Sequence, residues 1–140
     1  MDMQTVATDH APSTERSDST HVAFRALQLG FVVAPTLAGL DKFLGLMTDW
    51  TRYLWPPFAD LLGLSAGTFM ALVGIVEIAA GILVAWRPRI GGYVVAAWLG
   101  GIIVNLTLVG GFWDVALRDL GLAIGAFALA QLAPAEARLG

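Results

Sequence analysis

The chain has 140 residues, of which 57% are hydrophobic and only 14% are charged, and its mean hydropathy is +0.73. A soluble domain carries about 25% charged residues, so this composition indicates an integral membrane protein. The net charge of −3 without a basic stripe argues against a nucleic-acid partner, and the absence of cysteine excludes disulfides, CxxC redox chemistry and thiolate metal sites.

The N-terminal stretch "MDMQTVATDHAPSTERSDST" is polar and lacks the basic start and short apolar run of a secretory signal. We therefore expect residues 1–21 to form a disordered tail. Four apolar stretches follow, each near the ~20 residues that a helix needs to cross a bilayer. The spans are predicted at about 23–46, 64–86, 91–110 and 113–133.

The second and third stretches have no polar stripe, which disfavours a soluble helical bundle. The sequence therefore predicts an all-α membrane protein with a four-helix transmembrane domain over residues 22–134 and a short C-terminal tail at 135–140. "RPRI" at 87–90 predicts a tight hairpin, and the aromatic-rich stretch 47–64 is typical of a segment at headgroup level.

Lysine and arginine in the short loops predict the orientation. The side that holds both tails and the 87–90 hairpin has five such residues, and the opposite side has three. Both termini are therefore expected to be cytoplasmic. The five are Arg16, Arg25, Arg87, Arg89 and Arg138, and the three are Lys42, Arg52 and Arg118.

Polar residues of three predicted spans share one depth. Counting from the outer end of each span at 1.5 Å per residue places five of them in the outer third of the bilayer. These five are Asp41, Lys42, Asn105, Arg118 and Asp119. Glu77 lies deeper, near the midplane, in the apolar run "MALVGIVEIAAGILVAW". We expect Glu77 to form the floor of a polar pocket roofed by the other five.

Glycines indicate which helix faces point into the bundle, because small residues mark close helix approach in lipid. Glu77 shares a face with Gly74 and Gly81, and Arg118 shares one with Gly121 and Gly125. These four glycines are predicted to pack helices together. A lone charge at a helix centre costs about 2.5–3.5 kcal/mol on insertion scales, so the charged groups are expected to pair.

Two interpretations of the polar cluster stay open. It is either a site for a small polar headgroup or a proton, or a set of internal bonds that fixes the packing of the helices. No metal site is predicted, since only carboxylates could supply the ligands. No histidine lies within a span, which argues against a haem held between two histidines.

The chain resembles the DoxX family of small bacterial membrane proteins. The resemblance rests on "GLDKF" closing the first span, "VGIVEIAAGILV" in the second and "ALRDLGLAI" in the fourth. It covers roughly residues 23–133. The family motifs fall on Gly39, Lys42, Glu77, Gly81, Arg118 and Asp119.

The resemblance implies an inner-membrane four-helix bundle. It further implies an accessory or quinone-interacting subunit of a membrane redox complex, similar to a thiosulfate:quinone oxidoreductase. Quinone and other membrane redox subunits are then the expected partners besides the lipid bilayer, and no covalently bound cofactor is expected. Two alternatives remain: a small proton-coupled carrier, which would need a homo-oligomer, and an assembly protein without activity of its own.

Overall fold

The computed structural model describes the backbone of residues 13–139 and the side chains of residues 14–133. Within that range the chain is helical and contains no β-strand. The α-helices are α1 (Ser13–Leu44), α2 (Pro56–Leu61), α3 (Ala66–Trp86), α4 (Pro88–Val109) and α5 (Trp113–Leu139), with a 3₁₀ turn at Trp50–Tyr53.

Four of these helices are long and apolar enough to cross a membrane. Their qualifying segments are Thr14–Leu44, Ala66–Trp86, Pro88–Val109 and Trp113–Ala133. The predicted fold class, a four-helix membrane bundle, is therefore confirmed. The side of the membrane on which the termini lie stays a prediction.

Helix α1 begins earlier than the sequence indicates. Residues 13–21, predicted as part of a disordered tail, are its first turns, while residues 1–12 lie outside the described part of the chain. The hydroxyls of Ser19 and Thr20 donate to the carbonyls of Glu15 and Arg16, four residues back. Because propagating an existing helix costs far less than nucleating one, the apolar span carries these polar turns with it. The α5 backbone likewise stays helical to Leu139, through most of the predicted C-terminal tail.

The bundle is built from two helix pairs. Helix α1 packs chiefly on α3, and α4 packs chiefly on α5. Arg87 is the single residue between α3 and α4, and Pro88 occupies the first turn of α4, where its missing N–H has no intrahelical partner to lose. The predicted hairpin is therefore as tight as the sequence indicates.

The interior is apolar toward the hairpin and polar toward the opposite end. Large and small apolar side chains fill the hairpin half: Phe24, Phe31, Ala80, Val84, Val95, Ala126, Leu129 and Ala133. At the opposite end, residues 45–65, the connecting segment, join α1 to α3. A smaller cluster of Leu54, Ala59 and Met70 seats this segment on α3. The candidate site lies beneath it.

Candidate functional site

A buried ion pair joins α1 to α3. Lys42 Nζ lies 2.7 Å from Glu77 Oε2 and donates a hydrogen bond to it. The two side chains are only 3% and 10% exposed. The carboxylate in the middle of the apolar α3 run therefore has a cationic partner from another helix, as the pairing argument requires.

Two glycines bring the backbones close enough for this pair. A methyl group at Gly39 would lie 2.6 Å from the carbonyl oxygen of Gly74, and one at Gly74 would lie 2.7 Å from that of Gly39. Real side chains do not tolerate such distances, so the contact requires glycine at both positions. Lys42 follows Gly39 by one turn and Glu77 follows Gly74 by one turn, so both ionic residues border this crossing.

The antiparallel arrangement of α1 and α3 directs the two side chains toward each other. Helical side chains lean toward the N-terminus of their own helix. Lys42, near the C-terminal end of α1, therefore leans into the bundle, and Glu77 leans toward the connecting segment. They meet although Glu77 lies at the middle of α3 and Lys42 lies near the end of α1.

Trp50 covers the ion pair from the outside. Lys42 Nζ lies 3.7 Å from the centroid of the Trp50 ring, in cation–π geometry. The indole N–H of Trp50 donates to Asp41 Oδ2 over 2.8 Å. The 3₁₀ turn thus holds an aromatic ring over the ammonium group.

Asp41 organises the connecting segment and does not line the predicted pocket. Its carboxylate is buried and accepts hydrogen bonds from the backbone N–H groups of Leu46 and Met47 and from the Trp50 indole. These donors are local and belong to the residues just after α1. Asp41 therefore fixes the path of the chain as it leaves the helix.

Asn105, on α4, also fixes the path of the connecting segment. Its Oδ1 accepts from the Trp55 backbone N–H over 2.9 Å, and its Nδ2 donates to the Tyr53 carbonyl over 2.6 Å. An amide side chain satisfies one donor and one acceptor of an extended backbone in this way. Asn105 is thus engaged with the connecting segment and not with Glu77.

Arg118 and Asp119 are adjacent in the chain but differ in how far their side chains are buried. The Arg118 guanidinium donates twice to Asp119 Oδ1, at 3.1 Å each, but its side chain is 65% exposed, whereas that of Asp119 is 6% exposed. The placement of Arg118 in the pocket roof was therefore wrong, because its side chain points out of the bundle. Asp119 points inward and lies within electrostatic range of Glu77.

Of the four glycines predicted to pack helices together, three contact another helix among the described residues and one does not. A side chain at Gly81 would collide with Thr36 Oγ1 and with the Val32 carbonyl, so α1 requires glycine there as it does at Gly74. A methyl at Gly125 would press on the Phe31 ring at 3.3 Å. At Gly121 a methyl would meet nothing within 4 Å among the described residues, so this glycine packs no helix there.

Trp98 belongs to the site and is absent from the predicted cluster. Its indole nitrogen is buried, has no hydrogen-bond partner among the described residues, and lies beside the Glu77 carboxylate. A signal for it exists in the sequence: Glu77 stands ten residues before Arg87 and Trp98 eleven residues after it. Two helices joined by a one-residue link place such positions at the same depth.

An open cleft of about 300 Å³ lies between the connecting segment and the start of α3. Its lining includes Lys42, Thr48, Asp49, Trp50, Thr51 and Met70. Lys42 therefore borders both the buried ion pair and a space reachable from the end of the bundle. Among the described residues, no three histidine or carboxylate side chains gather as metal ligands would.

Asp49 caps the 3₁₀ turn at the rim of this cleft. Its Oδ1 accepts from the Thr51 hydroxyl over 2.6 Å and from the Thr51 backbone N–H over 3.1 Å. The hydroxyl first, and then the backbone N–H, hold the pKa of the Asp49 carboxyl below its usual value. The rim therefore carries a negative charge through the neutral pH range.

The fold and this geometry define an integral membrane bundle with a buried lysine–glutamate pair under an aromatic cover. Comparison with protein-family models, with curated proteins and with solved structures finds no match for the chain.

Proposed function

We propose that this protein is a DoxX-like bacterial inner-membrane protein that binds a quinone headgroup in the cleft beside Lys42, as an accessory subunit of a membrane redox complex. The observation that carries the proposal is the position of Lys42, which borders the cleft on one side and the buried Glu77 on the other. The resemblance to the family supplies the redox context.

The chemistry of the cleft wall fits a flat ring with carbonyl acceptors. An ammonium group has three N–H donors, of which Glu77 takes one and the Trp50 ring faces another. A further donor remains for a carbonyl oxygen. The volume of about 300 Å³ is at the lower end for small-molecule pockets and is enough for a single substituted ring.

A quinone would supply the electron-accepting group, and the chain would bind and orient it. Lys42 donates a hydrogen bond to the ring oxygen, the Trp50 ring offers a stacking face, and the Glu77 carboxylate holds the Lys42 ammonium in place. Because the Lys42 side chain is only 3% exposed, a charge-assisted donor of this kind is stronger than it is in solution.

Quinone binding to the purified protein in detergent tests the proposal, with a short-chain ubiquinone as the probe and tryptophan quenching as the readout. We expect saturable quenching that is lost in Lys42→Met and strongly weakened in Glu77→Gln. Arg118→Ala is the matched control, because it also removes a transmembrane charge but from an exposed position. Equal quenching in all four well-folded proteins would show partition into the micelle and contradict the proposal.

A second candidate function is that of an assembly protein whose polar groups only hold the helices. The observation that favours it is the complete engagement of Asp41 and Asn105 with the connecting segment. Loss of stability in the variants without any quinone binding by the wild type would favour this candidate. A carrier has less support, since the cleft lies at one end and apolar side chains fill the other.

A further inference from the structure

The Trp98 indole N–H is a buried donor without an acceptor. Nearly all buried polar groups in folded proteins have a hydrogen-bond partner, so each exception calls for a physical explanation. Among the residues that the structure describes, Trp98 is the one such side chain. Phenylalanine would fill the same apolar space without the unmet hydrogen bond, so the N–H has no packing role.

Glu77 is an acceptor close to this donor. The indole lies close to its carboxylate, at the same depth on the neighbouring helix, but outside the distance and angle of a full hydrogen bond. Among the described residues, the hydrogen bond that fully meets the distance and angle of one is donated by Lys42 to Oε2. A carboxylate has about four acceptor positions, so the side chain has capacity for a second donor.

Asp119 makes the present position of Glu77 depend on Lys42. This second carboxylate is buried and lies within electrostatic range of Glu77. Its own partner, Arg118, is mostly exposed. If Lys42 turns to another acceptor, Glu77 must find a different donor inside the bundle or remain unpaired in a low-dielectric interior. Trp98 is the donor positioned to meet it.

We propose that Glu77 has two positions, one bound to Lys42 and one bound to the Trp98 indole, and that Trp98 positions the carboxylate when Lys42 is engaged elsewhere. Removal of the ammonium by mutation sends Glu77 to Trp98 whatever ligand the protein binds. The statement that a quinone in the cleft does the same rests on the proposed function.

Indole resonances in ¹⁵N-edited NMR spectra of the detergent-solubilised protein test the first part. The chain has five tryptophans, and Trp98→Phe identifies the signal of Trp98. In Lys42→Met we expect this signal to move downfield and its exchange with water to slow by about tenfold, as a hydrogen bond to a charged acceptor requires. An unchanged signal in the folded variant would overturn the proposal.

Two further variants keep the test decisive. Lys42→Gln also removes the charge and replaces Lys42→Met if that protein does not fold. Arg118→Ala is the matched control, because it removes a cation that does not contact Glu77, and the Trp98 signal should stay in place. A downfield movement in this control would show a general response to lost charge and would contradict a specific exchange of partners.

The short-chain ubiquinone used above tests the second part with the wild-type protein. A downfield movement of the Trp98 signal on saturation supports the ligand-driven exchange. Saturable binding without that movement overturns it. If Lys42→Met moves the signal but the wild type binds no quinone, the two positions of Glu77 stand and the proposed function fails.

Discussion

At the scale of single residues, the Lys42–Glu77 pair sets the electrostatics of the interior. A buried charge is tolerated when it is paired and is costly when its partner is removed. The pair is also the point where two independent lines of sequence reasoning meet, the depth of the polar residues and the resemblance to a family. Its energetic role can therefore be tested without any ligand.

Replacing one partner of the pair should destabilise the bundle more than replacing both. Glu77→Leu leaves the Lys42 ammonium buried without a counter-charge, and we expect a loss of about 3 kcal/mol in the free energy of unfolding. Lys42→Met combined with Glu77→Leu should recover most of that loss, because no charge remains buried. Unfolding in mixed detergent micelles, titrated with a denaturing detergent, measures both.

Arg118→Ala controls this comparison. Its guanidinium is mostly exposed and, among the described residues, bonds to the adjacent Asp119, so we expect a change of about 0.5 kcal/mol or less. A double variant as unstable as Glu77→Leu alone would show that the loss comes from packing and not from an unpaired charge.

The stability of the 3₁₀ turn should depend on pH, because its N-terminal cap is the carboxylate of Asp49. Its pKa is held below the usual aspartate value of about 3.9, so its contribution to stability is complete above that value and is lost as the pH falls through the lower folded pKa. Amide exchange of residues 50–53 should accelerate only at strongly acid pH. Thr51→Val removes the hydroxyl donor, so the pKa of the Asp49 carboxyl, followed by NMR titration, should rise toward its ordinary value.

The first turn of α5 offers the comparison, because it lies outside the connecting segment and contains the exposed Asp114. Its backbone amide signals should be the same in the wild type and in Thr51→Val. A change in these signals as large as that in residues 50–53 would show a global change and contradict the local cause assigned here.

At the scale of the helices, the α1–α3 crossing depends on backbone contact. Gly39→Ala places a methyl 2.6 Å from the Gly74 carbonyl oxygen, which forces the helices apart. We expect a loss of about 1–3 kcal/mol in the free energy of unfolding, as overpacking costs elsewhere. The same separation lengthens the Lys42–Glu77 contact, so the proposed quinone binding should weaken too.

Gly121→Ala is the matched substitution on α5. Its new methyl meets nothing within 4 Å, and alanine favours a helix over glycine by up to about 1 kcal/mol. Stability should therefore be unchanged or slightly higher. Equal losses in the two variants would contradict the difference in packing between these glycines.

The connecting segment should loosen when Asn105 is replaced. Asn105→Ala removes the side-chain bonds to the Trp55 N–H and the Tyr53 carbonyl, while α4 itself keeps its backbone bonds. Hydrogen exchange resolved by peptide should then accelerate over residues 50–58 and stay unchanged in the spans. Thr107→Val is the control, since its hydroxyl bonds only within α4, to the Ile103 carbonyl.

Hydropathy and length predicted the four spans, because a helix that crosses the hydrocarbon core must be apolar over about 20 residues. Depth counting placed Lys42 and Glu77 in one predicted pocket but at different depths, and their direct contact follows from side chains that lean toward each other on antiparallel helices. It could not place Asp41 and Asn105, whose partners are backbone groups of an irregular segment. For Arg118 the sequence indicates its depth in the span but not the direction in which its side chain points. The spacing of small residues at Gly121 likewise does not specify a neighbouring helix.

At the scale of the whole molecule, the orientation in the membrane is open to a direct test. The chain has no cysteine, so single cysteines report without background. Arg89→Cys in the hairpin should react with a membrane-impermeant maleimide only after cells are opened, and Leu62→Cys in the connecting segment should react in intact cells. The positive-inside distribution predicts this result. The reverse pattern would place both termini outside.

The one-residue link at Arg87 constrains how the protein is made. Helix α3 ends at Trp86 and α4 begins at Pro88, so no water-exposed loop separates the two helices during synthesis. We therefore expect the two helices to leave the translocation channel together, as a single hairpin. By then α1, synthesised earlier, has already brought Lys42 into the membrane, so the carboxylate in α3 enters a bilayer that already holds its counter-ion.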